Sequence, residues 1–294
     1  MSRKELQVSA MTFGSRAPVV RFLATGAGLT LAAWGLGFAV TRIGASATGE
    51  LSLDLFLARH RSVALSEFAL TIEVLLGVSV APIVLLTIAG LVAKLWHWVA
   101  GALVVVVTGA GWVAAAVGKL FVHRSRPPGG VLQALVSETG IDSYPSGHTA
   151  FAAGLLSSAV LITYIFGRSA IRTAVLGLPG LVVVGVSRLY LGVHYVADVL
   201  GSCLVACAST LLLIGTYNAV RRLLRSSSNP VPSSSESSEA LGVRGTATVG
   251  NDEDRRGRGG VAEGSPHPAS VELPSGPVAT LMDMLGGHDA DTGR

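Results

Sequence analysis

Long apolar runs separated by short loops fill the chain up to about Arg225. A helix needs about 20 apolar residues to cross the hydrocarbon core of a bilayer, because each residue advances it only about 1.5 Å. Six runs meet or approach that length: 19–40, 69–93, 98–121, 149–166, 171–187 and 196–217, the fourth and fifth being the shortest. The pattern predicts an all-α fold, a polytopic membrane helix bundle of about six transmembrane helices. Composition agrees. Only 14% of the residues are charged and half are hydrophobic, against about 25% charged in an average soluble domain, and the mean hydropathy is +0.58. The first apolar run is longer than the ~7–15-residue core of a signal peptide, which favours an uncleaved first span.

Three regions follow: an N-terminal cytoplasmic segment over 1–18, a six-helix membrane domain over 19–225, and a tail over 226–294. The tail is rich in Ser, Gly, Pro and mixed charge and has no hydrophobic periodicity, so it is expected to be disordered. One short apolar patch in it, Leu281 to Leu285, could dock on a protein partner that the sequence does not specify. Lys and Arg placement sets the expected orientation. Arg3, Lys4, Arg16 and Arg21, then Lys94, then Arg168 and Arg172, then Arg221, Arg222 and Arg225 all fall on one side of six spans. That side is read as the cytoplasm, with both termini there, in the cell (plasma) membrane. Leu51 to Ser66 reads as an amphipathic helix on the outer leaflet, and Trp96 and Trp98 as interfacial aromatics. The net charge of +4 comes without a dense basic run, which gives no support to nucleic-acid binding. Cys203 and Cys207, four apart in an apolar run, read as small packing residues rather than a disulfide or a metal site.

Ionisable residues at membrane spans are costly and tend to mark function. They form three groups on the expected outer face. Lys119 and Arg126, the latter followed by Pro127 and Pro128, end the third run; they would share a helix face if the helix continued that far. Taken alone they could simply snorkel at the membrane edge, and the neighbouring His123 and Arg124 are read as solvated or supporting. Pro145-Ser146-Gly147-His148 opens the fourth run, with Ser146 a natural N-cap and Gly147 permitting close backbone approach. A helix start suits an anion, although an ordinary capped helix would look the same. Ser187-Arg188, His194 and Asp198 make the third group. His194 and Asp198 are four apart, so on a helix they would be neighbours, the carboxylate holding one ring nitrogen and leaving the other to attack. A turn is expected near Gly192. An interfacial His–Asp pair without function is the plain alternative. Together the groups provide three cations, two histidines, one carboxylate and an anion-ready helix start, and none of them makes a convincing metal cluster.

In order and spacing these residues resemble the signature of the type 2 phosphatidic acid phosphatase superfamily. Lys119 to Pro127 matches its Lys, six residues, Arg-Pro motif. Pro145 to His148 matches Pro-Ser-Gly-His, and Ser187 to Asp198 matches Ser-Arg, five residues, His, three residues, Asp. The resemblance implies a metal-independent enzyme without a cofactor, in which His194 attacks phosphorus to form a phosphohistidine. Asp198 would orient it, and His148 would protonate the leaving alkoxide. Lys119, Arg126, Arg188, Ser146 and Gly147 would hold the phosphoryl oxygens. The implied substrate is a lipid phosphate or diphosphate, such as phosphatidate or undecaprenyl diphosphate, reached from the bilayer on the extracytoplasmic face. Two alternatives remain at this stage: a phosphotransferase using the same site, and a non-catalytic lipid-phosphate binding or transport protein. A soluble vanadate-dependent haloperoxidase shares the signature, but the apolar runs argue against it.

Overall fold

The computed structural model describes residues 16–227 apart from 139 and 141. The expected tail, its apolar patch and most of the N-terminal segment lie outside the described residues. Within them the chain is helix and loop, with no strand and one isolated β-bridge between Ser125 and Asp142. The helices are α1 (Arg16–Ile43), α2 (Glu50–Arg59), α3 (Val63–Leu76), α4 (Ala81–Leu95), α5 (Trp98–Phe121), α6 (Gly129–Leu132), α7 (Gly147–Ile165), α8 (Ala170–Tyr190) and α9 (Val196–Ser227).

Five of these, α1, α5, α7, α8 and α9, are long and apolar enough to cross a membrane. A sixth crossing requires α3 and α4 together, and this pair is bent by 75°. The run 69–93, expected as a single span, is therefore a broken one. Gly77 leaves α3 with an extended backbone, and Pro82 stands in the first turn of α4, where its missing N–H does no harm. Elsewhere the starts follow the capping rules. Ser62, Ser146 and Ser169 each accept a hydrogen bond from the backbone N–H three residues on, relieving one of the free donors of a helix start.

The helices pack through small residues. Ala81, Leu85 and Ala89 of α4 meet Ala100 and Val104 of α5 and Phe151 and Ile162 of α7, and short side chains let membrane helices approach closely. Large apolar residues face outward instead, as with Leu176 on α8 at 80% exposed. Such a girdle suits a hydrocarbon surround, and the chain is an integral membrane protein. Lys94 ends α4 near one end of the bundle, where Arg168 stacks 5.2 Å from the centre of the Trp96 ring. At the other end Arg61 donates to the backbone oxygens of Tyr190, Leu132 and Gln133, tying the α2–α3 junction to α6 and the end of α8.

That second end is fixed to the bundle by Tyr144, which is fully buried. Its ring slots between Gly37 of α1 and Gly201 of α9, and its hydroxyl donates to the backbone oxygen of Ala33. A methyl group on Gly37 would lie 2.7 Å from the ring. Replacing Gly37 by alanine is expected to lower stability by about 1–3 kcal/mol through overpacking. Gly28→Ala on the same helix, with no heavy atom within 4 Å of the added methyl, should leave the melting temperature in detergent unchanged. Equal melting temperatures for the two variants would contradict this account of the slot.

Candidate active site

All eight residues singled out from the sequence lie at the end of the bundle where Tyr144 sits. Three short segments carry most of them: the link after α5, the start of α7, and the turn between α8 and α9. Helix α5 stops at Phe121, so Lys119 is helical but Arg126 is not. The expectation of a shared helix face does not hold. The chain is extended around Ser125, which bridges to Asp142. Ser143 N–H donates to Arg124 O at 2.7 Å, and Lys119 Nζ donates to Asp142 O at 2.8 Å. Lys119 and Arg126 thus approach the site along different paths, Lys119 held by the carbonyl of Asp142 and Arg126 by that of Gly140. Arg126 Nε donates to Gly140 O at 2.6 Å.

Ser146 caps α7 as expected. Its hydroxyl accepts from Thr149 N–H and its own N–H donates to Asp198 O at 3.3 Å, so the start of α7 is stitched to the start of α9. Ser202 Oγ reinforces the join by donating to both Ser146 O and Asp198 O. A Cβ on Gly147 would have only Trp112 Nε1 near it, at 3.6 Å. His148 is largely buried and its Nε2 donates to Glu73 O at 3.2 Å.

The turn between α8 and α9 comes where it was expected. Gly192 has φ of 76°, the left-handed region open to glycine without strain. This reversal brings His194 back toward Arg188. His194 is 1% exposed, and Arg188 and Asp198 are each 0% exposed. His194 precedes α9 rather than standing in it, yet its Nδ1 still donates to Asp198 Oδ2 at 3.3 Å. In that tautomer Nε2 keeps its lone pair, and Arg126 Nη1 lies 3.4 Å from it. Burial above all pushes the His194 pKa down, Arg188 and Arg126 push it the same way, and Asp198 opposes; the result is about 4. The ring is therefore neutral near pH 7, the form with a nucleophilic nitrogen.

Two carboxylates not singled out from the sequence also face this site. Glu73 of α3 pairs with Arg188 and lies 3.5 Å from His148 Nε2. Glu138 bridges Arg126 and Arg188, 3.4 Å from each. Burial alone would raise the Glu138 carboxyl, but Arg126, His194, Arg188 and His148 outweigh it and hold it below its ordinary value. Glu73, Glu138 and His148 each offer a ligand atom within 4.8 Å of the others. Both carboxylates are already paired with arginines, so they balance cations here rather than gather one. No sequence signal marked them, since neither has a motif and one lies on a different span.

Of the two readings open for Arg124, solvated or supporting, the structure shows the second. Arg124 was grouped with His123, whose side chain is 71% exposed. Arg124 itself is 3% exposed and donates to Asp198 Oδ1 at 2.7 Å and to Glu50 Oε2 at 2.5 Å. Helix α2, expected to lie on the outer leaflet, turns its acidic side inward: Glu50 and Asp54 are both buried. Its acidic residues thus face protein and not the membrane surface.

The arrangement puts a neutral, carboxylate-held imidazole beside arginine and lysine donors at a capped helix start. Such a set can bind an oxyanion and attack its central atom.

The comparisons with known proteins point the same way. The PAP2 superfamily matches residues 94–222. Among solved structures the chain is similar to a transmembrane PAP2-type phosphatidylglycerolphosphate phosphatase from Bacillus subtilis, with a TM-score of 0.53 and 24% identity. The similarity covers 67% of this chain and 96% of that one, and it shows the fold. No curated protein matches. Residues 94–222 are thus similar to the PAP2 superfamily, and that stretch contains every one of the eight residues picked out from the sequence.

Proposed function

We propose that the protein is a membrane lipid phosphatase that hydrolyses a lipid phosphate or diphosphate through a phosphohistidine on His194, without a metal. The observation that carries this reading is the geometry of the His194 imidazole, which faces Asp198 at Nδ1 and Arg126 at Nε2. In the first step Nε2 attacks phosphorus and the ester oxygen leaves. His148 supplies its proton, and Asp198 stabilises the imidazolium that forms. In the second step water attacks the phosphohistidine, with His148 taking the water proton and His194 leaving.

Lys119, Arg126, Arg188 and the N-terminus of α7 with Ser146 and Gly147 would hold the equatorial oxygens, where charge builds in phosphoryl transfer. The membrane bundle and the PAP2 domain support a substrate whose chains stay in the bilayer. Phosphatidate and polyprenyl diphosphates such as undecaprenyl diphosphate are the proposed classes. The basic loops at the opposite end support a site on the extracytoplasmic face of the plasma membrane, with both termini in the cytoplasm. The cations at the site itself are then part of the chemistry and not of the topology signal.

The primary test is phosphate release by purified protein in detergent with EDTA, on phosphatidate, undecaprenyl diphosphate and a soluble phosphate ester. Release is expected from at least one lipid, with inhibition by vanadate and no loss in EDTA. His194→Ala should reduce it by at least about 10⁴-fold, as removal of a nucleophile does. Release that needs added magnesium, or that survives His194→Ala, would sink the mechanism. Labelled-histidine NMR provides a second check. His194 should remain neutral down through pH 6 and take up a proton only near pH 4, whereas a titration near the ordinary histidine value of about 6.5 would contradict a neutral, desolvated nucleophile.

A further inference from the structure

Arg124, Glu50 and Asp54 form a buried charged cluster on the side of Asp198 away from the phosphate pocket. The hydrogen bonds around Asp198 leave its carboxylate no freedom to turn. Oδ2 accepts from Tyr195 N–H at 2.9 Å and faces His194 Nδ1 at 3.3 Å, while Oδ1 accepts from Arg124 at 2.7 Å. Arg124 is held in turn. Its other terminal nitrogen donates to Glu50, whose second oxygen accepts from Ala197 N–H at 2.8 Å, and its guanidinium lies 4.4 Å from the centre of the Tyr195 ring.

Backbone geometry explains why two arginines two residues apart reach the same pair. Side chains at i and i+2 of an extended segment project on one side, roughly 7 Å apart, and the chain is extended at Ser125 between them. Arg126 therefore meets the Nε2 end of the His194–Asp198 pair while Arg124 meets its carboxylate end. A buried ion pair is weak evidence of stability, since apolar residues of similar size often do as well. An arrangement that converges on the one carboxylate holding the nucleophile calls for a different account.

We propose that Arg124 and Glu50 are positioning residues for the nucleophile: Arg124 fixes the carboxylate plane of Asp198 so that Oδ2 faces His194, and Glu50 fixes Arg124. This rests on the phosphatase reading and adds to it that α2, which lies outside the matched domain, completes the site. The charge balance fits. Three buried carboxylates, Glu50, Asp54 and Asp198, surround one guanidinium. Burial chiefly, with Glu50 and Asp198 adding and Arg124 opposing, pushes Asp54 up to about 7. Asp54 makes no hydrogen bond through either oxygen. Near neutrality it is half protonated, which leaves most of the negative charge on the two carboxylates that Arg124 grips.

The test is the pH dependence of kcat and KM for lipid phosphate release by the full chain, in wild type, Arg124→Ala, Arg124→Lys and Glu50→Gln. Loss of Arg124 should lower kcat by about 100-fold with KM within about threefold, the range typical of a lost orienting partner. The acid limb of kcat/KM should move to higher pH, because the groups that must be deprotonated lose a cation. The groups facing Asp198 are His194, Arg124, Asp54, Lys119, Tyr144 and Tyr195, with Glu50 behind Arg124; Arg124→Ala removes the contacts of Arg124 with Asp198, Glu50 and the Tyr195 ring, and Glu50→Gln alters only the charge behind Arg124. Arg124→Lys should recover part of the loss, since an ammonium can grip one carboxylate but not fork across two. Glu50→Gln should move both quantities the same way by less.

Activity of Arg124→Ala within about threefold of wild type would overturn the inference. So would a loss that tracks the folded fraction, with an unmoved acid limb and no gain from lysine. If wild type releases no phosphate, or His194→Ala still does, the phosphatase reading fails instead. The labelled-histidine titration then decides on its own: a His194 pKa unchanged in Arg124→Ala would overturn the positioning role, and a shifted one would support it.

Discussion

The fully buried guanidinium of Arg188 is the constraint to which the rest of this end of the molecule answers. Taking such a charge out of water costs several kcal/mol unless partners replace the lost solvation. Here the partners come from far apart in the chain. Glu73 arrives from α3 and Glu138 from the link before α7. Each can reach Arg188 only if its own element is anchored, which gives the hydrogen bonds among Ser146, Asp198 and Ser202, and the Tyr144 slot, their structural purpose. An oxyanion entering the site would meet donors already aimed and already stripped of water. Electrostatic stabilisation of a transition state relies on such preorganisation.

The sequence was most legible where a periodicity or a cap has one physical meaning. Run length identified the membrane helices, and α5 begins and ends on the expected residues. Ser146 as a cap and Gly192 as a turn followed from local chemistry and are seen as such. The pairing of His194 with Asp198 was also legible, although on different grounds from those expected. Four-residue spacing suggested a helix face, whereas the contact is made from just outside the helix, with Asp198 also taking the Tyr195 N–H. Spacing of four is compatible with both geometries, and only the start of α9 distinguishes them.

What was not legible depends on tertiary contact. Nothing local tells Arg124 from His123, yet one is buried between two carboxylates and the other faces outward. Leu51 to Ser66 reads as an outer-leaflet helix because the burial of Asp54, with Glu50 beside it, depends on an arginine 74 positions away from Glu50. Glu73 sits in an apolar run where one acid looks like a tolerated exception, and its counter-charge is on another helix. The broken span over 69–93 escaped for a related reason: hydropathy counts apolar residues and does not register the direction of the backbone through Gly77.

That break has a consequence for the surrounding lipid. Helix α4 has 15 residues, about 22 Å of rise, against about 30 Å of hydrocarbon. Both ends of α3 touch the end of the bundle that holds the site, through Ser62 with Tyr190 and through Glu73 with Arg188, so α3 adds little depth. On this flank the protein is shorter than the bilayer it occupies, while α5 and α9 are not. A bilayer responds to such mismatch by thinning locally. The turn at the break satisfies part of its own backbone, with Val80 and Ala81 both donating to Gly77 O, so it tolerates a shallow apolar depth. The flank of least apolar depth is also the one from which Glu73 reaches Arg188.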